Sequence, residues 1–479
     1  MPVVLITDVF LWGMLVAALV YGWRVRRDSQ LRATWALVFR RPVAAVSAVV
    51  LGFFVLVALL DSVHYRPALP AAPGQGQTWA AEPVSVLDQL LKPLVQARER
   101  SYSEPLAITA FRKQSVEQDG QVVRDYPRLK FGGAHLSDAQ LHRADLWQRS
   151  GQGFAWGAVL SLTLFGVALG VVAWRLGQPV SVLSRRWLRG ETQWPWRALT
   201  VTVVVLIMAC SWALVLSQHF HVLGTDRTGN SVLVMALKSI RTALVIGSLT
   251  TIVVLPLALL LGVVAGYLRG WVDEVVQYIY TLLASIPDVL LIAAAVLMLQ
   301  VFIDKNQEVL STALERADAR LFFLCLLLGI TSFTGLCRLV RGETLKLREQ
   351  EYIQSARAFG VSTPRILRLH IVPNLMHLVL INTVMQFSNF VLAEAVLSYV
   401  GVGVDPKTAS FGVMINTARS ELAATPVVWW TLATAFAFML MLVLSANLLA
   451  DAVRDAFDPR MRLGKVPRRP ATATREVSA

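Results

Sequence analysis

Long apolar runs separated by arginine-rich or polar stretches set the pattern of this chain. Nine runs reach or approach the roughly 20 residues that a helix needs to cross a bilayer. They are 3–23, 42–61, 154–174, 198–217, 239–268, 275–302, 321–340, 374–400 and 427–450. Between the second and third lies a polar segment, 62–152. Within it Val86, Leu87, Leu90, Leu91 and Leu94 recur at helical spacing over 84–98, with Pro93 as a kink point. Residues 115–123 carry a hairpin signal at Asp119-Gly120. The segment reads as a small α+β domain, or alternatively as a long, partly ordered loop. The pattern as a whole predicts an all-α polytopic membrane protein with this small extracytoplasmic insertion.

Charge orients the spans. The chain is 55% hydrophobic with a formal net charge of +14. Its Arg and Lys gather in 24–41, 175–197, 342–372 and the tail 451–479, which places those stretches on the cytoplasmic side. The first apolar run precedes Arg24, Arg26 and Arg27, the reverse of a signal peptide, so it reads as a retained span with the N-terminus outside. Nine crossings then put the C-terminus inside. Positive charge confined to loops between spans argues against nucleic acid as a partner and for membrane lipid.

Little in the chain suggests chemistry of its own. Cys210, Cys325 and Cys337 lie in or at the ends of apolar runs and read as small buried hydrophobes. His219 and His221 lack a third ligand for a metal site. There is no GxxxxGK[ST] phosphate loop and no Ser-His-Asp constellation. The expectation is a protein without catalytic residues, metal or bound cofactor, which must draw energy from a partner.

The most informative stretch is 351–375, EYIQSARAFGVSTPRILRLHIVPNL, a helix-forming segment in a basic loop between two spans. Ala356 and Gly360 are four apart, so they are expected to share one nearly flat helix face that another protein can approach. The segment resembles the EAA coupling loop of ABC-importer permeases. Gln354, Ser355 and Ala356 stand at the Glu-Ala-Ala positions, followed by Phe359 and Gly360. The acid is absent, and Glu351 lies one turn earlier. Ile371, Val372, Pro373 and Asn374 occupy the place of the Ile-Leu-Pro-Asn run typical of the peptide branch.

Other segments extend the resemblance in the same order. Residues 219–232, HFHVLGTDRTGNSV, are similar to the stretch before the core spans of dipeptide, oligopeptide and nickel permeases. The matching positions are Leu223, Gly224, Thr225, Asp226 and Gly229; Asn230 and Ser231 depart from the usual Arg-Asp. Physically this is a surface loop, with Gly224 and Gly229 in tight turns and Thr225 and Asp226 able to cap a nearby helix. Residues 262–288 repeat the family's Ala-Gly-Tyr, Gly-Trp-Val-Asp and Pro pattern. Gly270 allows a reversal there, and Pro287 kinks the span, either lining a pathway or simply packing. Gln386, Ser388, Asn389 and Glu394 are polar residues of the eighth span. Glu394 is a candidate for the pathway or a subunit interface, unless it sits near the outer surface. Residues 447–462 match the family's terminal segment, where Asp458-Pro459 stops the helix and Arg460 and Arg462 anchor it.

The resemblance implies the membrane subunit of a type I ABC importer of the dipeptide/oligopeptide/nickel class in a bacterial inner membrane. Six family-type spans would lie in 30–61 and 218–462. The implied plan is an extra helix in 1–24, the first family-type span in 25–61, the insertion 62–152 and an extra helix pair in 153–217. The permease core follows in 218–462, with its coupling loop at 342–372, and then a basic tail, 463–479. The implied partners are a second homologous permease, one or two ATPase subunits that use ATP and Mg, and an extracytoplasmic substrate-binding protein. Two rival classes remain: a membrane-anchored protein acting through 62–152, and an ion-driven secondary transporter, for which paired intramembrane charges would be expected.

Overall fold

The computed structural model describes residues 1–68, 79–80, 82–118, 121–190, 192, 194–305 and 312–457. The turn at Asp119-Gly120, the Asp458-Pro459 stop, Arg460, Arg462 and the 463–479 tail lie outside the described residues. Among those described, eight helices are long and apolar enough to cross a membrane, and a bent helix pair makes a ninth if counted as one span.

The N-terminal part begins with α1 (Ile6–Arg27), α2 (Ser29–Arg40) and α3 (Pro42–Asp61). The Asp28 side chain accepts from Gln30 N and Leu31 N and so caps α2. Pro at the first turn starts α3. Strands β1 (Pro2–Val3), β2 (His64–Tyr65) and β3 (Val84–Ser85) form a small antiparallel sheet in that order. The predicted helix over 84–98 is instead two pieces, α4 (Val86–Leu90) and α5 (Lys92–Gln96). Pro93 falls in the first turn of α5, where its missing N–H costs nothing. Strands β4 (Gln114–Gln118) and β5 (Gln121–Asp125) pair antiparallel as the expected hairpin.

The middle of the chain is a helical hairpin, α6 (His142–Leu176) and α8 (Trp196–Ser217), joined through the amphipathic α7 (Val180–Arg189). Helix α6 starts well before the predicted span at 154. Gly153 and Gly157 let the pair approach closely: a Cβ on Gly153 would sit 2.9 Å from Trp212 Cα.

The remaining helices build the core. They are α9 (Val232–Leu268), α10 (Trp271–Ser285), α11 (Asp288–Lys305), α12 (Ala313–Arg348), α13 (Glu351–Ala358), α14 (Thr363–Ile366), α15 (Val372–Val400), α16 (Phe411–Leu422) and α17 (Trp430–Phe457). Leu367–Ile371 is a π-helical turn between α14 and α15. Helices α9 and α12 are the tightest neighbours. A Cβ on Gly262 would lie 2.7 Å from the Cys337 carbonyl, and one on Gly266 would lie 2.8 Å from that of Arg341. Cys325, Cys337, Leu321, Leu324, Leu328 and Leu336 fill the same buried cluster. The sixth predicted span is not one helix. It breaks between α10 and α11 with a bend of 88°. Ile286 is extended, as the residue before Pro287 must be.

Candidate functional site

The 351–373 segment is held from beneath and open above. Ile353, Ile366 and Ile371 are fully buried in the core cluster, and Ala356 and Val361 pack partly against it. Gln354, Ser355, Arg357, Ala358 and Phe359 are exposed, and Phe359 is 87% so. Pro373 is exposed in the first turn of α15. Asn374 Nδ2 donates to the Tyr352 hydroxyl at 3.1 Å and to the His370 carbonyl at 2.7 Å, tying the start of α15 back to α13. The π-helical turn directly precedes α15, an irregularity often found at functional sites.

Two expectations about this segment are corrected. Ala356 and Gly360 do not share a helix face. Helix α13 ends at Ala358, and Gly360 has φ +74°. Gly360 N bonds the Arg357 carbonyl and Val361 N bonds the Ala356 carbonyl, the two bonds of a Schellman stop. Ala356 faces inward with Ile353, so the accessible surface is Gln354, Ser355, Arg357, Ala358 and Phe359.

The 223–231 loop forms a clasp on the insertion. The Thr225 hydroxyl accepts from Ser103 N at 2.7 Å and donates to the Ser101 carbonyl at 2.9 Å. Trp430 Nε1 donates to the Thr225 carbonyl at 3.1 Å. Asp226 accepts from the backbone of Thr228 and Asn230, both at 2.8 Å, closing the turn. Gly224 and Gly229 have φ +73° and +80°, and a Cβ on Gly229 would lie 1.9 Å from the Glu99 carbonyl. Neither Thr225 nor Asp226 caps a helix: Ser231 is the N-cap of α9 and makes no side-chain cap bond. These side chains are committed to loop closure and to the insertion instead.

Beside the clasp, Glu99 is buried and accepts from Phe131 N at 2.8 Å, Lys130 N at 2.9 Å and Gly132 N at 3.0 Å, with His221 Nε2 at 3.4 Å. Burial pushes its carboxyl up. The bonds from His221 and from Phe131, Gly132 and Lys130 outweigh this and bring it from 4.5 down to about 2. His219 stacks near His135, with ring centroids 4.7 Å apart. Burial, ahead of the charges of Arg149 and His135, lowers its pKa. Glu421 on α16 is also buried, and burial raises its carboxyl. Neither of its oxygens reaches good hydrogen-bond geometry, although the Thr431 and Tyr102 hydroxyls are its neighbours.

The polar residues of α15 do not converge. Gln386 bonds Asn382 of its own helix at 3.4 Å, and Ser388 donates to Asn447 of α17 at 2.5 Å. Asn389 is exposed, as is Pro287. Glu394 is 2% exposed, accepts from Ser398 at 2.6 Å and from Ser410 at 3.0 Å, and so pins α16 to α15. A cluster that the sequence reading missed lies among α1, β2, α9 and α12. Arg241 donates to Asp8 at 2.5 and 3.1 Å and to the Thr7 hydroxyl at 2.8 Å, and lies 3.6 Å from Asp318. The Thr7 hydroxyl donates to Asp318, and His64 Nδ1 meets Asp8 at 2.8 Å. The signal was a lone charge inside each of two apolar runs, Asp8 in the first and Arg241 in the fifth.

Comparison with known proteins decides the assignment. Residues 258–463 match the family described as "Binding-protein-dependent transport system inner membrane component". The chain is 31% identical over 242 residues to the oligopeptide transport system permease protein OppC of Mycobacterium bovis, covering 50% of this chain and 77% of that one. The chain belongs to this family. Over the same length it is 30% identical to OppC of Bacillus subtilis, covering 72% of it. It is 31% identical to the glutathione transport system permease protein GsiD of Pectobacterium atrosepticum, covering 73%. In each case 50% of this chain is matched. The protein is thus a multi-pass inner-membrane permease subunit of a binding-protein-dependent importer. Coupling to an ATPase is a general property of that family. The matched family region, 258–463, includes the 351–373 segment and excludes α1, the insertion and the α6–α8 hairpin.

Proposed function

We propose that this permease imports peptides or similar small solutes, coupled through 351–373 to separate ATPase subunits. In this reading one or two ATPase subunits bind ATP and Mg, while this chain binds neither. A second homologous permease completes the pathway, and an extracytoplasmic binding protein delivers substrate. The N-terminus and the insertion lie outside, and the 351–373 segment and the C-terminus lie inside. The plan is a 218–462 core, with 25–61 as the first family-type span and with 1–24, 62–152 and 153–217 as additions.

One observation carries the reading: Phe359, 87% exposed, stands on a helix end fixed to the core by Ile353, Ile366 and Ile371. An aromatic side chain on an end fixed to the core offers a partner a preorganised anchor. Gln354 and Ser355 flank it, and Pro373 marks where the segment returns to α15. Pro287, Gln386 and Asn389 fit a pathway wall shared with the second subunit, and Glu394 a tie that holds the outer end of α15.

The test compares Phe359→Ala with wild type in proteoliposomes containing all subunits. Loss of a buried aromatic anchor costs on the order of 2 kcal/mol or more of binding, more than tenfold in affinity. The expected result is an unchanged melting temperature and pairing with the second permease, with ATPase co-purification and ATP-driven uptake greatly reduced. Full uptake by Phe359→Ala, or by the bulkier Gly360→Trp, would remove 351–373 as the coupling element.

A further inference from the structure

Two cavities lie along α8, away from the 351–373 segment and from the α15 residues that the transport reading uses. The first, of about 350 Å³, sits between the α2–α3 junction and the α7–α8 loop and is lined by Arg40, Arg189, Arg197, Trp194 and Trp196, among others. Arg40 ends α2, Arg189 ends α7 and Arg197 opens α8, so three separate elements each bring one guanidinium. Among the described residues none of the three has an acidic partner; the ion pairs of this end include Arg41–Asp455 but not these. Glu191, the one acid of the 175–197 loop, lies outside the described residues.

The position of this cavity is set by the spans. Helices α3 and α8 both begin at it, so it lies where the apolar lengths of both helices end, at headgroup depth. Trp194 and Trp196 are 38% and 46% exposed there, as interfacial tryptophans are. The second cavity, of about 540 Å³, is lined wholly by Phe154, Val204, Val205, Met208, Ala209 and Trp212. Arg197, Val201, Val205, Met208 and Trp212 follow helical spacing along α8, so the basic cavity and the apolar groove lie on one stripe of that helix, the groove about 10 Å further along. Val201 between them is 63% exposed.

We propose that these two cavities together bind one anionic phospholipid, its phosphate on Arg40, Arg189 and Arg197 and an acyl chain in the groove between α6 and α8. Basic pockets between spans recognise such headgroups, and guanidinium forks suit phosphate oxygens. A soluble phosphate would use the arginines but not the groove, which makes the lipid the occupant that fits both. The bound lipid would add to the direct packing of α8 on α3 by tying α7 to the α2–α3 junction at this end.

The test is native mass spectrometry of the full chain released from phosphatidylcholine nanodiscs containing a minority of phosphatidylglycerol or cardiolipin. Wild type should retain an anionic lipid. The triple variant Arg40→Gln, Arg189→Gln, Arg197→Gln should lose it by at least about tenfold. A control with the same charge change, Arg24→Gln, Arg26→Gln, Arg27→Gln, should retain it. Val205→Trp, which fills the groove without altering charge, should also weaken retention, and it keeps the test alive if the triple variant folds poorly. Excess inorganic phosphate should leave the adduct in place. Equal loss in both triple variants, unchanged retention in Val205→Trp, or displacement by inorganic phosphate would each overturn the proposal.

Discussion

At the scale of single residues, this chain places its strongest polar contacts where elements distant in sequence meet. Arg241 and its partners join α1, the start of the insertion, α9 and α12 in one buried knot. Removing one member leaves the others charged and unpaired, a change worth roughly 3–5 kcal/mol. Arg241→Ala should therefore lower the melting temperature of the detergent-purified chain sharply, while exposed Arg27→Ala on the same protein should not. An equal melting temperature for both variants would mean the knot is not structural. Glu99 makes a pH prediction. Its folded carboxyl sits at about 2 against an ordinary 4.5. A depressed carboxyl stabilises the fold above its unfolded pKa, and that contribution fades as pH falls from about 4.5 toward 2. Protease cleavage within the insertion should rise over that window in wild type, and Glu99→Gln should flatten the rise. Either single charge was visible in the sequence, but the partner of Arg241 is Asp8, 233 residues away. No local pattern encodes that pairing.

At the scale of elements, what was legible depended on how local the cause is. The span boundaries of α3, the hairpin of β4 and β5, the break at Pro287 and the exposed 351–373 segment all follow from neighbours a few residues apart. The face of α13 did not. Whether Gly360 continues a helix or stops it depends on a backbone choice that glycine leaves open, and here the Schellman bonds decide for the stop. The same limit applies to Thr225 and Asp226: their caps were plausible locally, but the insertion claims Thr225 through Ser101 and Ser103. The stop at Gly360 has a measurable consequence. A Cβ there would meet nothing within 4 Å, yet φ is +74°. Gly360→Ala should cost only the backbone strain, roughly 1–2 kcal/mol. Ala and Trp at this position should then melt alike, because the Cβ direction opens away from the rest of the chain. They should differ only once the ATPase is added, where Trp alone obstructs. A much lower melting temperature for Trp than for Ala would show that the site is not open.

At the scale of the whole molecule, the segments that the proposed plan counts as additions are built into the rest of the chain rather than tethered to it. Helix α1 is bound through Thr7 and Asp8, the insertion through the 223–231 clasp and Trp430, and α8 against α3. This arrangement fixes which ends of the helices lie together. The Arg41–Asp455 pair puts the start of α3 beside the end of α17. Arg269–Glu349 does the same for the end of α9 and the turn before α13. The buried cluster of Val38, Ala44, Ala452 and Val453, with Leu380 packed against it, joins the start of α15 to that same end. Helix α7, with Arg185, Arg186 and Arg189, therefore shares the end that carries Phe359, and the β4–β5 hairpin belongs to the opposite one. On the proposed orientation, in which arginine-rich loops lie inside, the first end is cytoplasmic. The prediction is a labelling result in intact cells, in a background with the three native cysteines replaced. Ser115→Cys, at an exposed position of β4, should react with a membrane-impermeant maleimide added outside. Ser184→Cys, in α7, should react only after the cells are opened. Reaction of both from outside would mean that the α6–α8 hairpin does not cross the membrane as a pair. Protection of Ser115→Cys with reaction of Ser184→Cys would keep the fold and invert it, and the coupling surface would then face away from any source of ATP.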